Sequence, residues 1–160
     1  MVITKQIARK VIKRYLDPIF NEHGFTYESD QIGMIWKRQI DCHKYIGYTI
    51  EFNKYPITET LGGQFSICYY VSDEPGIFTV KSLGWHYTPS LRLKKPAQLK
   101  QGLKTLSFFE RILEKFEGKE WLSFYTESDL EYLFDRIIPD SLAQFEAFVR
   151  RSIPEYRLED

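Results

Sequence analysis

The sequence predicts an α+β fold in which an antiparallel sheet of about four or five strands is covered by an N-terminal helix and by C-terminal helices. Three observations carry this expectation. Apolar residues recur at spacings of three and four from Ile3 to Leu16, the period falls to two between Phe25 and about Val80, and helical spacing returns after Pro96. A chain of 160 residues, 43% hydrophobic and 28% charged, lies in the ordinary globular range and buries roughly 70% of the surface its unfolded form exposes. No linker, internal repeat or low-complexity run divides it, so residues 1–160 read as one domain.

The first element is an amphipathic helix. Ile3, Ile7, Val11 and Tyr15, with Ala8, Ile12 and Leu16 beside them, share one face, while Lys5, Arg9, Lys13 and Arg14 turn to water. Asp17-Pro18 predicts a kink or a short second helix, with Asp17 as its cap and Pro18 in its first turn. Gly24 is placed to end the segment in the left-handed conformation, with Phe25 folding back as the hydrophobic contact.

Strands are expected at Phe25 to Glu28, Met34 to Arg38, Tyr45 to Asn53 and Gln64 to Ser72, and a meander is the simplest topology that joins them. Alternation is clearest in the last two. Ile46, Tyr48, Ile50 and Phe52 share a face of one strand, and Phe65, Ile67, Tyr69 and Val71 share a face of the next; these eight side chains are expected to meet the helices. The opposite face carries Tyr45, Gly47, Thr49, Glu51, Asn53, Gln64, Ser66, Cys68 and Tyr70. An antiparallel sheet can leave such a face in water, or the C-terminal helices can cover it.

After the Asp73 to Gly76 turn, Ile77 to Ser82 is a candidate fifth strand, and Leu83 to Lys95 has no clean period. A second amphipathic helix starts near Pro96, presents Leu99, Leu103, Leu106, Phe109, Leu113 and Phe116 on one face, and closes at Gly118. Thr126 and Asp129 have the spacing of a capping box before Leu130, Leu133, Phe134, Ile137 and Ile138. Pro139 is expected to end that helix, and Leu142, Phe145, Phe148 and Val149 mark a last one.

With these residues in place, the N-terminal half resembles the bacterial domain of unknown function 4304 family, in which a first helix runs into Gly-Phe and then into an antiparallel sheet. The matching stretches are YLDPIFNEHGF (Tyr15 to Phe25), IWKR (Ile35 to Arg38) and YTIEFN (Tyr48 to Asn53). The resemblance implies an α+β fold and bacterial origin. By analogy at the level of class it also implies an immunity-type or accessory interaction protein. The family has no established catalytic residues, so none is carried over.

Chemistry-bearing patterns are sparse. Cys42 and Cys68 form no C-x-x-C pair, and Cys42-His43 are chain neighbours whose side chains are expected to point apart in a strand or turn. His23, His43 and His86 are scattered, without the spacing of a metal site. Gly62-Gly63 lacks the lysine and the strand-to-helix setting of a phosphate loop. Glu127 with Asp129, and Glu114 with Glu117, belong to a helix start or a solvated face. No catalytic residue, metal or cofactor is expected from the sequence.

Net charge is zero, from 22 basic and 22 acidic residues, which argues against the basic surface of a nucleic-acid binder. The charge is nonetheless uneven. Lys81, Arg92, Lys94, Lys95, Lys100 and Lys104 fall in a stretch without Asp or Glu, and this 81–104 run, which includes Trp85, His86 and Tyr87, is the one candidate for nucleic-acid binding. The leading expectation is a non-catalytic protein that recognises a macromolecular partner, a protein, through Tyr45, Glu51 and Tyr70 on the polar sheet face and through Trp85, His86 and Arg92. The alternative is an enzyme that uses Glu51 and His86 in a polar pocket. Lacking a secretory signal or an apolar run of about 20 residues, the chain is expected in the cytoplasm, with no membrane partner.

Overall fold

The computed structural model describes residues 3–29, 33–42, 44–53, 63–74, 83–89, 91, 93 and 120–158. The fold is α+β. Helix α1 (Lys5–Glu22) comes first, followed by strands β1 (Thr26–Ser29), β2 (Gly33–Asp41), β3 (Lys44–Phe52), β4 (Gly63–Ser72), β5 (Leu83–His86) and β6 (Leu122–Phe124), and then by helix α2 (Glu127–Arg150). The expected strand at Ile77 to Ser82 and the expected helix from Pro96 to Gly118 lie outside the described residues.

The Thr4 hydroxyl accepts the Ile7 amide at 3.1 Å and starts α1. Ala8, Val11, Ile12, Leu16 and Phe20 form its buried face. Of the two outcomes expected at Asp17-Pro18, a kink or a short second helix, the second is not formed, because α1 runs through Pro18. Pro18 is exposed, while Leu16 and Phe20 on either side of it are buried. Burying two such side chains contributes roughly 1.5–3 kcal/mol each, enough to offset the ~3 kcal/mol of an interior proline. Asp17 is not a cap: its carboxylate accepts the Trp36 indole N–H at 2.9 Å and pins the helix to β2.

The end of α1 is as predicted. Gly24 has φ of 76°, its amide donates to the Asn21 carbonyl, and the Phe25 amide reaches back to the Phe20 carbonyl at 3.0 Å. The Phe20 and Phe25 rings meet edge to face at 4.8 Å. Together these are the bonds and the apolar contact of a Schellman motif.

Strands β1 to β4 form the expected antiparallel meander, and β5 continues it in chain order from within Leu83 to Lys95, where the sequence shows no clean period. Strand β6 adds a feature absent from the sequence expectation, pairing with β4 through Phe65↔Leu122 on the edge opposite β3. Strand β5 occupies the same edge further along, through Cys68↔His86 and Tyr70↔Gly84, and between the two the Tyr87 amide donates to the Ile67 carbonyl at 2.8 Å.

The eight side chains assigned to the helix-facing side of β3 and β4 are all buried. Helix α2 begins with the expected capping box, in which Thr126 and Asp129 bond reciprocally. It does not stop at Pro139, so the two expected C-terminal helices are one helix of 24 residues. The reason repeats that at Pro18, since Leu133, Phe134 and Ile137 before the exposed proline and Ser141, Phe145 and Phe148 after it are all buried.

Phe145 sits at the centre of the core. Its ring lies 5.4–6.4 Å from those of Phe20, Phe25, Tyr48, Tyr69 and Tyr156. Tyr48 and Tyr69 carry the contact into polar chemistry, with hydroxyls 2.9 Å from the Ser141 hydroxyl and 2.7 Å from the Ser141 carbonyl. Helices α1 and α2 therefore share one sheet face, where they also touch through Tyr15 stacked on Phe134 and an Arg14–Glu131 ion pair. No described helix is long and apolar enough to cross a membrane.

Candidate functional site: the outer sheet face and the fifth strand

Because α2 packs on the same side as α1, it does not cover the polar face of the sheet. Strand alternation gives this outer face Tyr45, Gly47, Thr49 and Glu51 from β3, Gln64, Ser66, Cys68 and Tyr70 from β4, and Gly84 and His86 from β5. The register places Tyr70 between two glycines, Gly47 on one side and Gly84 on the other. The Tyr70 ring leans into the space on the Gly84 side: a Cβ at Gly84 would lie 2.8 Å from its Cε1 atom. So placed, the Tyr70 hydroxyl donates to Glu51 Oε1 at 3.2 Å.

Beside it Cys68 stands between Thr49 and His86 in register. Its Sγ lies 3.0 Å from His86 Nδ1 and 3.8 Å from the Ser66 hydroxyl, while Thr49 Oγ1 donates to the Cys68 carbonyl at 2.9 Å. Further along, Asn53 Nδ2 donates to Gln64 Oε1 at 2.9 Å and Gln64 Nε2 donates to the Ser123 hydroxyl at 3.1 Å, tying β3, β4 and β6 together. Each of these polar groups is satisfied by a neighbour in the plane of the sheet.

The electrostatics decide what the Cys68–His86 pair can do. Burial pushes the Cys68 thiol up to about 12, and the Glu51 carboxylate pushes in the same direction. At neutral pH the sulfur keeps its proton, so the pair lacks the thiolate that cysteine nucleophiles use. With 1% of its surface exposed, Cys68 is also shut away from a substrate. The Tyr70 phenol is raised too, by burial first and then by Cys68 and Glu51. Among the described residues no three His, Cys, Asp or Glu side chains converge to hold a metal ion.

The sequence-predicted site residues separate into two groups. Tyr45, Glu51, Tyr70 and His86 do share the outer face, with Tyr45 at its far end opposite Ser72. Trp85 is on the other face, opposite Tyr69 in register, because neighbours in a strand alternate. The one surface expected from sequence is therefore two, meeting at β5. Arg92 lies outside the described residues. Glu51 and His86 bond to Tyr70 and Cys68 and not to each other, so the acid–base pair of the enzymatic alternative is not assembled.

Trp85 is the most exposed large apolar residue described, at 51%, and the Arg151 guanidinium at the end of α2 sits 5.2 Å above its ring. Sequence reasoning missed both partners of these aromatic and histidine side chains. The meeting of Cys68 with His86 was not legible because β5, which brings His86 to it, has no period to recognise. Arg151 is 66 positions from Trp85 and no local pattern joins them. No protein-family model, curated protein or solved structure matches the chain.

Proposed function

We propose that this chain is a non-catalytic bacterial protein of the cytoplasm that recognises another protein across the β5 edge, in an immunity-type or accessory role. The observation that carries the reading is Trp85, half in water beneath the Arg151 guanidinium. Trp, Tyr and Arg dominate the few residues that supply most interface energy, and an indole costs least to expose where a partner will cover it. His86 projects from the opposite side of the same strand, against Cys68 on the face that also carries half-buried Tyr70 and Glu51, so a partner straddling β5 would touch both Trp85 and His86. The protonated, enclosed Cys68 and the separate bonding of Glu51 and His86 support binding over catalysis.

Affinity capture with the tagged chain, with and without nuclease, tests this. The expected result is a stoichiometric protein that survives nuclease and is lost with Trp85→Ala or Tyr70→Ala. Retention of that protein by both variants, at unchanged stability, would refute the placement; retention of nothing specific would refute the reading.

A further inference from the structure

The described residues hold two large apolar side chains that are exposed, Trp85 at 51% and Tyr132 at 40%, and an arginine lies over each. The two pairs differ in how complete they are. Over Tyr132 the Arg136 guanidinium stacks at 3.6 Å and its Nη1 donates to the Tyr132 carbonyl at 3.1 Å, so the cation is both stacked and hydrogen-bonded within its own helix. Over Trp85 the Arg151 guanidinium stands off at 5.2 Å and finds no acceptor and no carboxylate among the described residues. Its neighbours are engaged elsewhere, Arg150 with the Pro154 carbonyl and Arg157 with the Pro154 and Tyr156 carbonyls.

A cation at the C-terminal end of α2 offsets the partial charge of the last carbonyls, and that accounts for an arginine at position 151. It does not account for a half-exposed indole beneath it. A guanidinium carries five N–H donors in a planar fork that matches a carboxylate, and it binds more strongly when one of its faces is dried by an aromatic ring. Trp85 supplies that ring and keeps apolar surface uncovered beside it. Among the described residues the site therefore lacks two things at once, an anion with planar acceptors and an apolar group next to it.

We propose that Trp85 and Arg151 form a docking point for an acidic segment of a protein partner, in which a Glu or Asp carboxylate takes the Arg151 fork and a flanking apolar side chain covers the indole. This rests on the binding reading above and names the chemistry of the partner. Among the described residues a nucleic-acid strand is matched less well, because it needs a row of cations along its phosphates, and of these residues Arg151 is the one cation over the ring while Arg150 and Arg157 turn to backbone carbonyls.

The test is a titration of the full chain, followed by ¹H–¹⁵N spectra, with a blocked Leu-Glu-Leu peptide, its Leu-Gln-Leu counterpart and an oligothymidine. The Trp85→Phe variant assigns the Trp85 indole signal. With the Glu peptide that signal and the Arg151 Nε–H signal are expected to move saturably. Weak or absent movement is expected with the Gln peptide, and an increase of about tenfold in dissociation constant with Arg151→Gln. Equal response to the Glu and Gln peptides, shifts that persist in Arg151→Gln, no saturable shift, or tighter binding of oligothymidine would each overturn the proposal. The same variant separates the two readings when applied to the captured partner. Undiminished capture by Arg151→Gln overturns the acidic-segment inference and leaves the binding function standing.

Discussion

The two faces of the sheet are made by the same strands, residue by residue in alternation, yet they use tyrosine in opposite ways. On the inner face Tyr48 and Tyr69 stand up into the core and both direct their hydroxyls at Ser141, so two strands grip one turn of α2. On the outer face Tyr70 leans toward Gly84 and spends its hydroxyl on Glu51 of the next strand. The inner tyrosines join layers, whereas the outer one joins strands within a layer. Moving one position along β4, from Tyr69 to Tyr70, exchanges one task for the other. Parity in the strand decides what a phenol does, and the residue on each neighbouring strand decides whether it can lie down.

This contrast predicts a steep difference in cost. Phe145→Ala removes the ring around which the inner face is organised and is expected to destabilise the fold by about 3–5 kcal/mol, read as a fall in the urea midpoint. A loss of under about 1 kcal/mol would show that the inner face repacks and that the contrast is overdrawn.

Alkaline titration probes both faces together. Cys68, Tyr48, Tyr69, Tyr70, Tyr87 and Tyr156 are all raised, chiefly by burial, so the unfolded chain gives up their protons first as pH rises. The stability linked to them is complete below the unfolded values of 9.0 for the thiol and 10.0 for the phenols, and is lost as pH climbs toward the folded ones, about 12 for Cys68. Cys68→Ser should remove the first part of that decline and leave the tyrosine part. Urea midpoints that stay flat between roughly pH 8 and 11 would contradict this direction.

A smaller effect is expected at Gly84→Ala, because the new methyl must displace the Tyr70 ring and break its bond to Glu51. A cost of about 1 kcal/mol is consistent with one lost hydrogen bond and a shifted ring, and Tyr70→Phe in the same chain should absorb part of it. Fully additive effects would mean that the ring and the glycine are independent. Smallest of all, Trp85→Ala is expected to change stability by no more than about 0.5 kcal/mol while abolishing partner capture, a separation that marks a surface kept for binding.

Local chemistry was readable from sequence and long-range registration was not. The Gly24 helix end and the Thr126–Asp129 capping box are settled within a few residues by conformations that few other residues adopt, and both were found where expected. The alternating faces of β3 and β4 were legible for the same reason. The two prolines misled because a breaker weighs against whatever is buried on either side of it, and Leu16, Phe20, Ile137 and Ser141 are placed by tertiary packing. Strand β5 is four residues long and contains a glycine, so it has too little period to announce itself. Without it, neither the meeting of His86 with Cys68 nor the turning of Trp85 away from His86 can be deduced.

The shared edge of β4 has one more consequence. The chain departs from that edge at Tyr87, which bonds to Ile67, and returns to it at Leu122, which pairs with Phe65. Those two attachment points are two residues apart on one strand, about 7 Å along its axis. Both attachments are thus stapled to one short stretch of β4, and a break there would loosen β5 and β6 together.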